Sequence, residues 1–531
     1  MLLDIFFSPR YNIYIMELLN PTALWKDFNR GEAPLEPTVI SVRTADGITT
    51  ERLYFSGAAG DDGTARVYAK LVYPSGKFGY IAVIAGAADK SVDEMDIYSY
   101  VKRDTAAIIV DYSGRKDAER FTLYPYSLAY AEPEVKPDTF GALPESPKNT
   151  CWYVWAVNYL RAVAYAEQRF PQAKIIYVGV DDGGAQAVKA AALAPAAGAV
   201  IIGSDRAESE DLAFKAALSG ESYISKIRSP LMLLCGSNAA YNAAERASEC
   251  FNAAAAETRM FIRPRSFGGI TSAEKDDIQK FIDTAVIAGG ELPECPAIEA
   301  RASDAHLYCD IVAPGADSVN LYFAQSVRRE FLRNWHRIPT ETAGESRLAR
   351  VSVYDAAEPV YLIAVAKYGN LSLSSPMLTV RPAALGVIPD TVSRSRLVYD
   401  AEMGVDDWVS GSAAESVRMG YGALGISGVT SDSDMITYKL GDCAFGAGAD
   451  DVLQILIYSD VRQNVVFRAI DRDGEQYVTE KNITPFSGWT KFTLSAGEFK
   501  NKDGALVSWA DAAGFGVSSG NPVVINSMLW V

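Results

Sequence analysis

The chain has 531 residues, 49% of them hydrophobic and 22% charged. At about 100–200 residues per domain this length gives three or four domains, and the composition excludes disordered or collagen-like structure. Lys plus Arg total 50 against 66 Asp plus Glu, a net charge of −16, which excludes the broad basic surface that nucleic acid or an anionic membrane requires. The sequence holds only two histidines, His306 and His336, so histidine-dependent chemistry must use one of them.

The N-terminal run MLLDIFFSPRYNIYI is apolar but broken by Asp4, with no basic stretch before it and no small-x-small cleavage site after it. No signal peptide is expected. Met16 opens a more ordinary start, MELLNPTALWKDF, so residues 1–15 read as a start-site extension. The six cysteines show neither C-x-x-C nor zinc spacing, which predicts free thiols in a reducing compartment and a cytoplasmic protein. No apolar run reaches the ~18 residues of a membrane span. The Ala-rich stretch from Ala190 to Ile202 is too short and contains Pro195.

Residues 1–35 read as an N-terminal extension, and residues 36–290 then alternate strands with helices. The apolar runs are YIAVIAG (80–86), TAAIIVDYSG (105–114), KIIYVGV (174–180), GAVIIGS (198–204), SPLMLLCGS (229–237) and TRMFIRP (258–264). Each is apolar on both faces and ends in turn formers, as strands of a sheet covered on both sides do. Helical patterns cover Trp152–Arg169, Gly184–Leu193, Ala239–Ala254 and Ser272–Ala288. The order predicts an α/β fold with a mostly parallel, doubly wound sheet. The segment 51–74 reads as a hairpin at the sheet edge, turning at GAAGDDG. After the linker ELPECP the period changes to two, predicting an Ig-like β-sandwich over 297–385 and a second all-β domain, a jelly roll, over 397–531.

The strand KIIYVGV runs into Gly179-Val180-Asp181-Asp182-Gly183 and then a helix. This is the form of the G-x-S-x-G nucleophile elbow, with Asp181 in the serine position. A tight strand-to-helix turn leaves room for little more than hydrogen beside its strained central residue, which explains Gly179 and Gly183. The central side chain then projects at a helix N-terminus, where negative charge is favoured.

The segments 150–170, 221–237 and 260–283, in this order around the elbow, resemble the acetyl xylan esterase / cephalosporin-C deacetylase branch of the α/β-hydrolases. NPTALWKDFNRGEAPLEP (20–37) is similar to the entry segment of related bacterial hydrolases. The resemblance covers about residues 16–290 and implies an α/β-hydrolase fold of deacetylating ancestry. It also implies catalytic positions that this chain has changed. The nucleophilic serine falls on Asp181, and the acid falls on Asn238. The base histidine falls in the loop Arg265-Ser266-Phe267-Gly268-Gly269, with Phe267 nearest its place. The His-Gly near the oxyanion hole reads Ala85-Gly86.

Two functions follow. One is a degenerate carbohydrate esterase retained to bind a carbohydrate, a small acylated ligand or a partner. The other is an active hydrolase of ester or acyl-sugar substrates in which Asp181 attacks carbon, as in haloalkane dehalogenases and epoxide hydrolases, although the histidine that would cleave the resulting ester is missing from this domain. A scaffold serving oligomerisation is a third reading. Ser–Lys chemistry has only unsupported S-x-x-K matches, at Ser99–Lys102, Ser113–Lys116 and Ser272–Lys275. Asp111, in VDYSGR, reads as structural.

LVYDAEMGVDDWVSG and SGWTKFTLSAGEFKN in the last block resemble galactose-binding-like carbohydrate modules. The resemblance implies sugar stacking on an exposed aromatic, with Trp408, Tyr458 and Trp489 as candidates beside Tyr421 and Trp509. It also implies a structural calcium, for which Asp400 and Glu402, with Asp406 and Asp407, offer oxygen ligands. No cofactor is expected for the hydrolase domain, and neither nucleic acid nor membrane is expected as a partner. The cluster Arg328-Arg329-Glu330-Phe331-Leu332-Arg333-Asn334-Trp335-His336 reads as an interface with the hydrolase domain.

Overall fold

The computed structural model describes residues 17–102, 104–115, 118–132, 144–203, 211–240, 243–268, 271–344, 346–387, 392–410, 416–485 and 488–531. They form two compact units. The second takes in residues 293–531 and two short segments from earlier in the chain, Gly236–Glu245 and Phe261–Gly268.

The first unit is built on nine strands: β1 (Thr38–Ala45), β2 (Ile48–Gly60), β3 (Gly63–Pro74), β4 (Tyr80–Ala85), β5 (Thr105–Asp111), β6 (Lys174–Val180), β7 (Gly198–Ile202), β8 (Leu231–Gly236) and β9 (Thr258–Arg263). Their order in the sheet is β1-β2-β3-β5-β4-β6-β7-β8-β9. The first three strands and the β3–β5 pair are antiparallel, and the pairs from β5 through β8 are parallel. This is the sheet expected of an α/β-hydrolase, with the exchange of β4 and β5 in the order. Strands β5, β7 and β8 are buried along their whole length, as strands covered on both faces must be.

The hairpin read from residues 51–74 is the β2–β3 pair, but it is not the edge. The edge is β1, exposed at every position, so its sequence lacks the apolar alternation that marks a half-buried strand. Helices follow in chain order: α1 (Pro21–Leu24), α2 (Cys151–Arg169), α3 (Asp182–Leu193), α4 (Leu212–Leu218), α5 (Glu221–Ile224), α6 (Ala243–Ala253) and α7 (Ser272–Phe281), the last continuing as a π-helical stretch Ile282–Ile287. Helices α4 and α5 are too short to show a helical period in sequence.

Within the proposed extension 1–35, residues 1–16 lie outside the described residues, and residues 17–35 belong to the first unit. The Trp25 indole donates to the Tyr223 hydroxyl at 2.8 Å. The buried guanidinium of Arg161 donates to the carbonyls of Arg30, Ala33, Pro34 and Ser56. A buried arginine with carbonyl partners around its fork holds that entry segment as a structural part.

The second unit is all β after residue 296. A four-stranded sheet (Ala297–Ser303, His306–Val312, Ser346–Ser352, Glu341–Ala343) and a five-stranded sheet (His336–Pro339, Ser318–Gln325, Val360–Tyr368, Leu371–Ser374, Leu378–Val380) enclose a core that includes Leu307, Ile311, Leu321 and Leu362. A six-stranded and a seven-stranded sheet follow, around a larger core that contains Trp408, Trp509 and Trp530. Among the described residues no helix is long and apolar enough to cross a membrane.

Candidate functional site

The turn after β6 keeps the backbone of a nucleophile elbow. Asp181 sits at φ 51°, ψ −120° and is followed directly by α3. A non-glycine residue in this region stores about 1–3 kcal/mol of strain. The flanking hydrogen bonds hold it there: the Asp181 N–H donates to the Ile202 carbonyl at 2.7 Å, and the Asp181 carbonyl accepts from the Gly184 N–H at 2.8 Å. The two elbow glycines are steric requirements. A Cβ on Gly179 would lie 2.5 Å from the Gly183 carbonyl oxygen, and one on Gly183 would lie 2.1 Å from the carbonyl oxygen of Ala85.

Asp181 is half-buried, whereas Asp182 is fully buried and one of its carboxylate oxygens accepts from the Ala88 N–H at 3.2 Å. The Tyr112 hydroxyl donates to the Gly86 carbonyl. Its pKa is pushed well up, first by burial and then by the charges of Asp182 and Asp181. Asp111 is a turn clamp. Its carboxylate accepts from the N–H groups of Gly114 and Thr122, and burial pushes its pKa up to about 6.

The S-x-x-K matches have structural partners or fall outside view. Ser113 donates to the Ala88 carbonyl, Lys275 pairs with Asp96 at 2.6 Å, and Lys102 faces Asp283 at 3.5 Å. Lys116 lies outside the described residues.

The positions that the family resemblance gives to acid and base fall in the segments Gly236–Glu245 and Phe261–Gly268, both in the second unit. The Asn238 amide donates to the carbonyls of Arg333, at 2.7 Å, and Glu330, at 3.3 Å, and its carbonyl accepts from the Ser237 hydroxyl. Phe267 is 43% exposed, with its ring 5.7 Å from that of Tyr438. Arg265, at φ 58°, donates to the Trp335 carbonyl at 2.7 Å and faces Asp406 and Asp407 at 3.7 and 3.5 Å. Sequence reading missed Arg265 as an anchor. Its signal was a lone arginine beside proline in a loop, which names no partner.

Of the two histidines, His336 is committed within its unit. His336 lies 2.5 Å from Asp442 and is stacked by Phe323 and Phe445. Burial works to lower its pKa, but Asp442 outweighs that and the net direction is up. His306 begins the strand His306–Val312 and pairs with Ser303 and Ser352 in the sheet. The basic-aromatic stretch 328–336, read as an interface with the hydrolase domain, meets Asn238 and Arg265 from the expected 36–290 span, within the second unit, and also meets the last β domain. Asn334 and His336 reach Asp442, and Val327 and Leu332 share a core with Ile470 and Ala513.

Of the carbohydrate candidates, Trp408 is corrected to core. It is 5% exposed and packs edge-on to Tyr399, because its position alternates inward in the strand Trp408–Ser410. Trp509 is likewise buried. Tyr458 and Trp489 come together half-buried, with ring centroids 5.7 Å apart, and the Trp489 indole donates to the Ala423 carbonyl. Tyr421 is 76% exposed on the neighbouring hairpin.

Three of the four acidic residues proposed for calcium, Asp400, Asp406 and Asp407, have partners. Asp400 accepts from the Glu402 N–H at 2.8 Å, Asp407 pairs with Lys439 at 2.6 Å, and Asp406 faces Arg265. Among the described residues, no group of three or more His, Cys, Asp or Glu side chains is placed to hold a metal ion.

No family model matches the sequence, and no curated protein does. Among solved structures the chain is similar to an acetyl xylan esterase from Paenibacillus sp. R4, at 15% identity and a TM-score of 0.38, over 51% of this chain and 96% of that one. Acetyl xylan esterase 1 from Thermoanaerobacterium sp. JW/SL YS485 follows at 13% identity and a TM-score of 0.36, over 51% of this chain and 95% of that one. A dienelactone hydrolase from Anabaena variabilis ATCC 29413 has 16% identity and a TM-score of 0.30, over 44% of this chain and 97% of that one. These neighbours are esterases and hydrolases, and they span about half of the chain.

Proposed function

We propose that this protein is a catalytically degenerate relative of the carbohydrate acetyl esterases, whose elbow binds a hydroxyl-bearing ligand without cleaving it. The observation that carries the reading is the elbow itself. Its strained backbone and steric glycines are kept around Asp181, while the sequence contains no histidine before residue 306. A carboxylate at a helix N-terminus accepts hydrogen bonds from sugar hydroxyls, and with no histidine before residue 306 the usual base that cleaves an ester formed on it is missing. The engagement of Asn238 with two carbonyls supports the same reading. The middle β domain is read as Ig-like and the last as a jelly roll with carbohydrate-binding ancestry. The six cysteines, none of them in a disulfide among the described residues, support a reducing, cytoplasmic setting.

The retained strain also favours a second reading, in which Asp181 is an active nucleophile. Its carboxylate oxygen would bond to the substrate carbon as the leaving group departs with the bond electrons, and water would then cleave the ester. Hydrolysis of an aryl acetate by the full chain, beside Asp181→Asn and Asp181→Ser, decides between them. No turnover and no covalent mass increase in any of the three is expected. Wild-type turnover lost in Asp181→Asn overturns the degenerate reading.

A further inference from the structure

A second recess lies within the second unit, where the middle and last β domains meet, with a cavity volume of about 210 Å³. Its walls come from six separate places in the chain, among them Ser326 and Ala510. Asp355 and Glu358 stand in the loop between the strands Ser346–Ser352 and Val360–Tyr368. Arg394 stands on the connection between the two domains, and Arg472 follows the strand Gln463–Asp471. Leu440 and Ala447 add an apolar patch.

The recess is built. The connection is pinned by the Ser395 N–H, which donates to the Ala444 carbonyl at 2.7 Å. Gly446 makes room for the guanidinium: a Cβ there would lie 3.1 Å from an Arg394 terminal nitrogen. The Ser326 hydroxyl ties the domains together by donating to the Gly441 carbonyl at 3.1 Å. Asp442 lines the recess but is already committed, accepting from Ala444, Asn334 and His336.

Among the described residues, Arg394, Arg472, Asp355 and Glu358 form no ion pair with one another or with any other side chain. One Asp355 oxygen accepts the Ala357 N–H at 2.9 Å. Two exposed arginines and two half-buried carboxylates thus line one small cavity without forming an ion pair. An anion would meet the carboxylates, and a cation would meet the guanidiniums. A ligand that donates and accepts at adjacent atoms, and has one apolar face for Leu440 and Ala447, satisfies the whole lining.

We propose that this recess binds a single pyranose ring, with vicinal hydroxyls between the Arg394–Arg472 donors and the Asp355–Glu358 acceptors. The proposal is independent of the elbow. It places sugar recognition at the seam of two β domains, away from the aromatics of the last one.

Titration of the full chain with D-xylose, D-galactose and D-glucose, followed calorimetrically and by ligand-observed NMR, tests it. Saturable binding of at least one sugar is expected, weakened about tenfold or more in Arg394→Met/Arg472→Met and retained in the surface control Lys502→Ala. The volume-preserving pair Asp355→Asn/Glu358→Gln should weaken it as well, with the thermal midpoint unchanged in each variant as the check on folding. Binding of none of the three sugars, or binding that survives both double substitutions, overturns the proposal. Binding lost in Asp181→Asn but not in the arginine pair would move the sugar to the elbow and overturn it too. Saturation by inorganic phosphate or glycine betaine with no sugar binding would assign the recess to an anion or a zwitterion instead.

Discussion

The turn after β6 and the segments after β8 and β9 descend, on the family resemblance, from one catalytic apparatus, yet they are treated oppositely. At the elbow the polypeptide keeps an uncomfortable backbone, φ 51° at Asp181, and keeps Gly179 and Gly183 free of side chains. In the second unit, the segments Gly236–Glu245 and Phe261–Gly268 have polar side chains occupied with structure: Asn238 on two carbonyls, and Arg265 on the Trp335 carbonyl and two aspartates. The elbow geometry is intrinsic to a strand-to-helix turn under a parallel sheet, so it survives a change of central side chain. Acid and base positions need only a loop, and a loop is easily reassigned to packing.

The sharpest break of this comparison is Asn238→Asp, which puts a carboxylate at the position the family resemblance gives to the acid. It presses a carboxylate against the carbonyls of Glu330 and Arg333 in a site where Asn238 is 2% exposed. A buried charge facing acceptors should cost about 3–5 kcal/mol, read as a fall in the urea midpoint. Asn238→Ala should cost only about 1–3 kcal/mol. If the aspartate is tolerated better than the alanine, the segment is still poised as an acid.

Gly183→Ala comes next, at about 3 kcal/mol, since backbone atoms of Ala85 and Gly86 block the new methyl. Gly184→Ala should cost far less, because its nearest obstacle is a single Ile201 methyl at 3.3 Å rather than backbone.

A smaller effect belongs to the pair His336–Asp442, at roughly 1–2 kcal/mol given that 24% of the His336 side chain remains exposed. The folded pKa of His336 is raised above its ordinary 6.5, so its contribution is fully present below that pH and is lost as pH rises through the folded value. Asp442 is depressed below its ordinary 3.8, so its contribution holds above that pH and is lost as pH falls through the folded value. Unfolding free energy measured against pH should therefore show a plateau between those two values that declines on either side. In His336→Gln the alkaline decline should vanish.

The smallest change is at the elbow. Asp181→Gly removes the strain and should stabilise the first unit by about 1 kcal/mol, partly offset by the lost carboxylate at the N-terminus of α3. A clear loss in thermal midpoint would make the Asp181 side chain structural and weaken the case for a ligand there.

The strands β4 to β9 and the helices α2, α3 and α7 were legible because their apolar runs are long, punctuated and periodic. The elbow was legible because two steric glycines and a strand–helix switch coincide within five residues. Strand β1 and the short helices α4 and α5 were not, since an exposed edge and a single helical turn leave no period. The burial of Trp408 was hidden for a related reason: an aromatic reads the same in sequence whether its strand turns it inward or outward.

By itself, the sequence determined the sheet, the elbow and the absence of a histidine from the first 305 residues, because these depend on local pattern and on composition. Only the tertiary structure decided what Asn238, Arg265 and His336 hold, and that Arg394, Arg472, Asp355 and Glu358 converge on one recess. Their partners lie tens to more than a hundred residues away along the chain. Nothing local in the chain encodes such convergence, and packing alone brings the groups together.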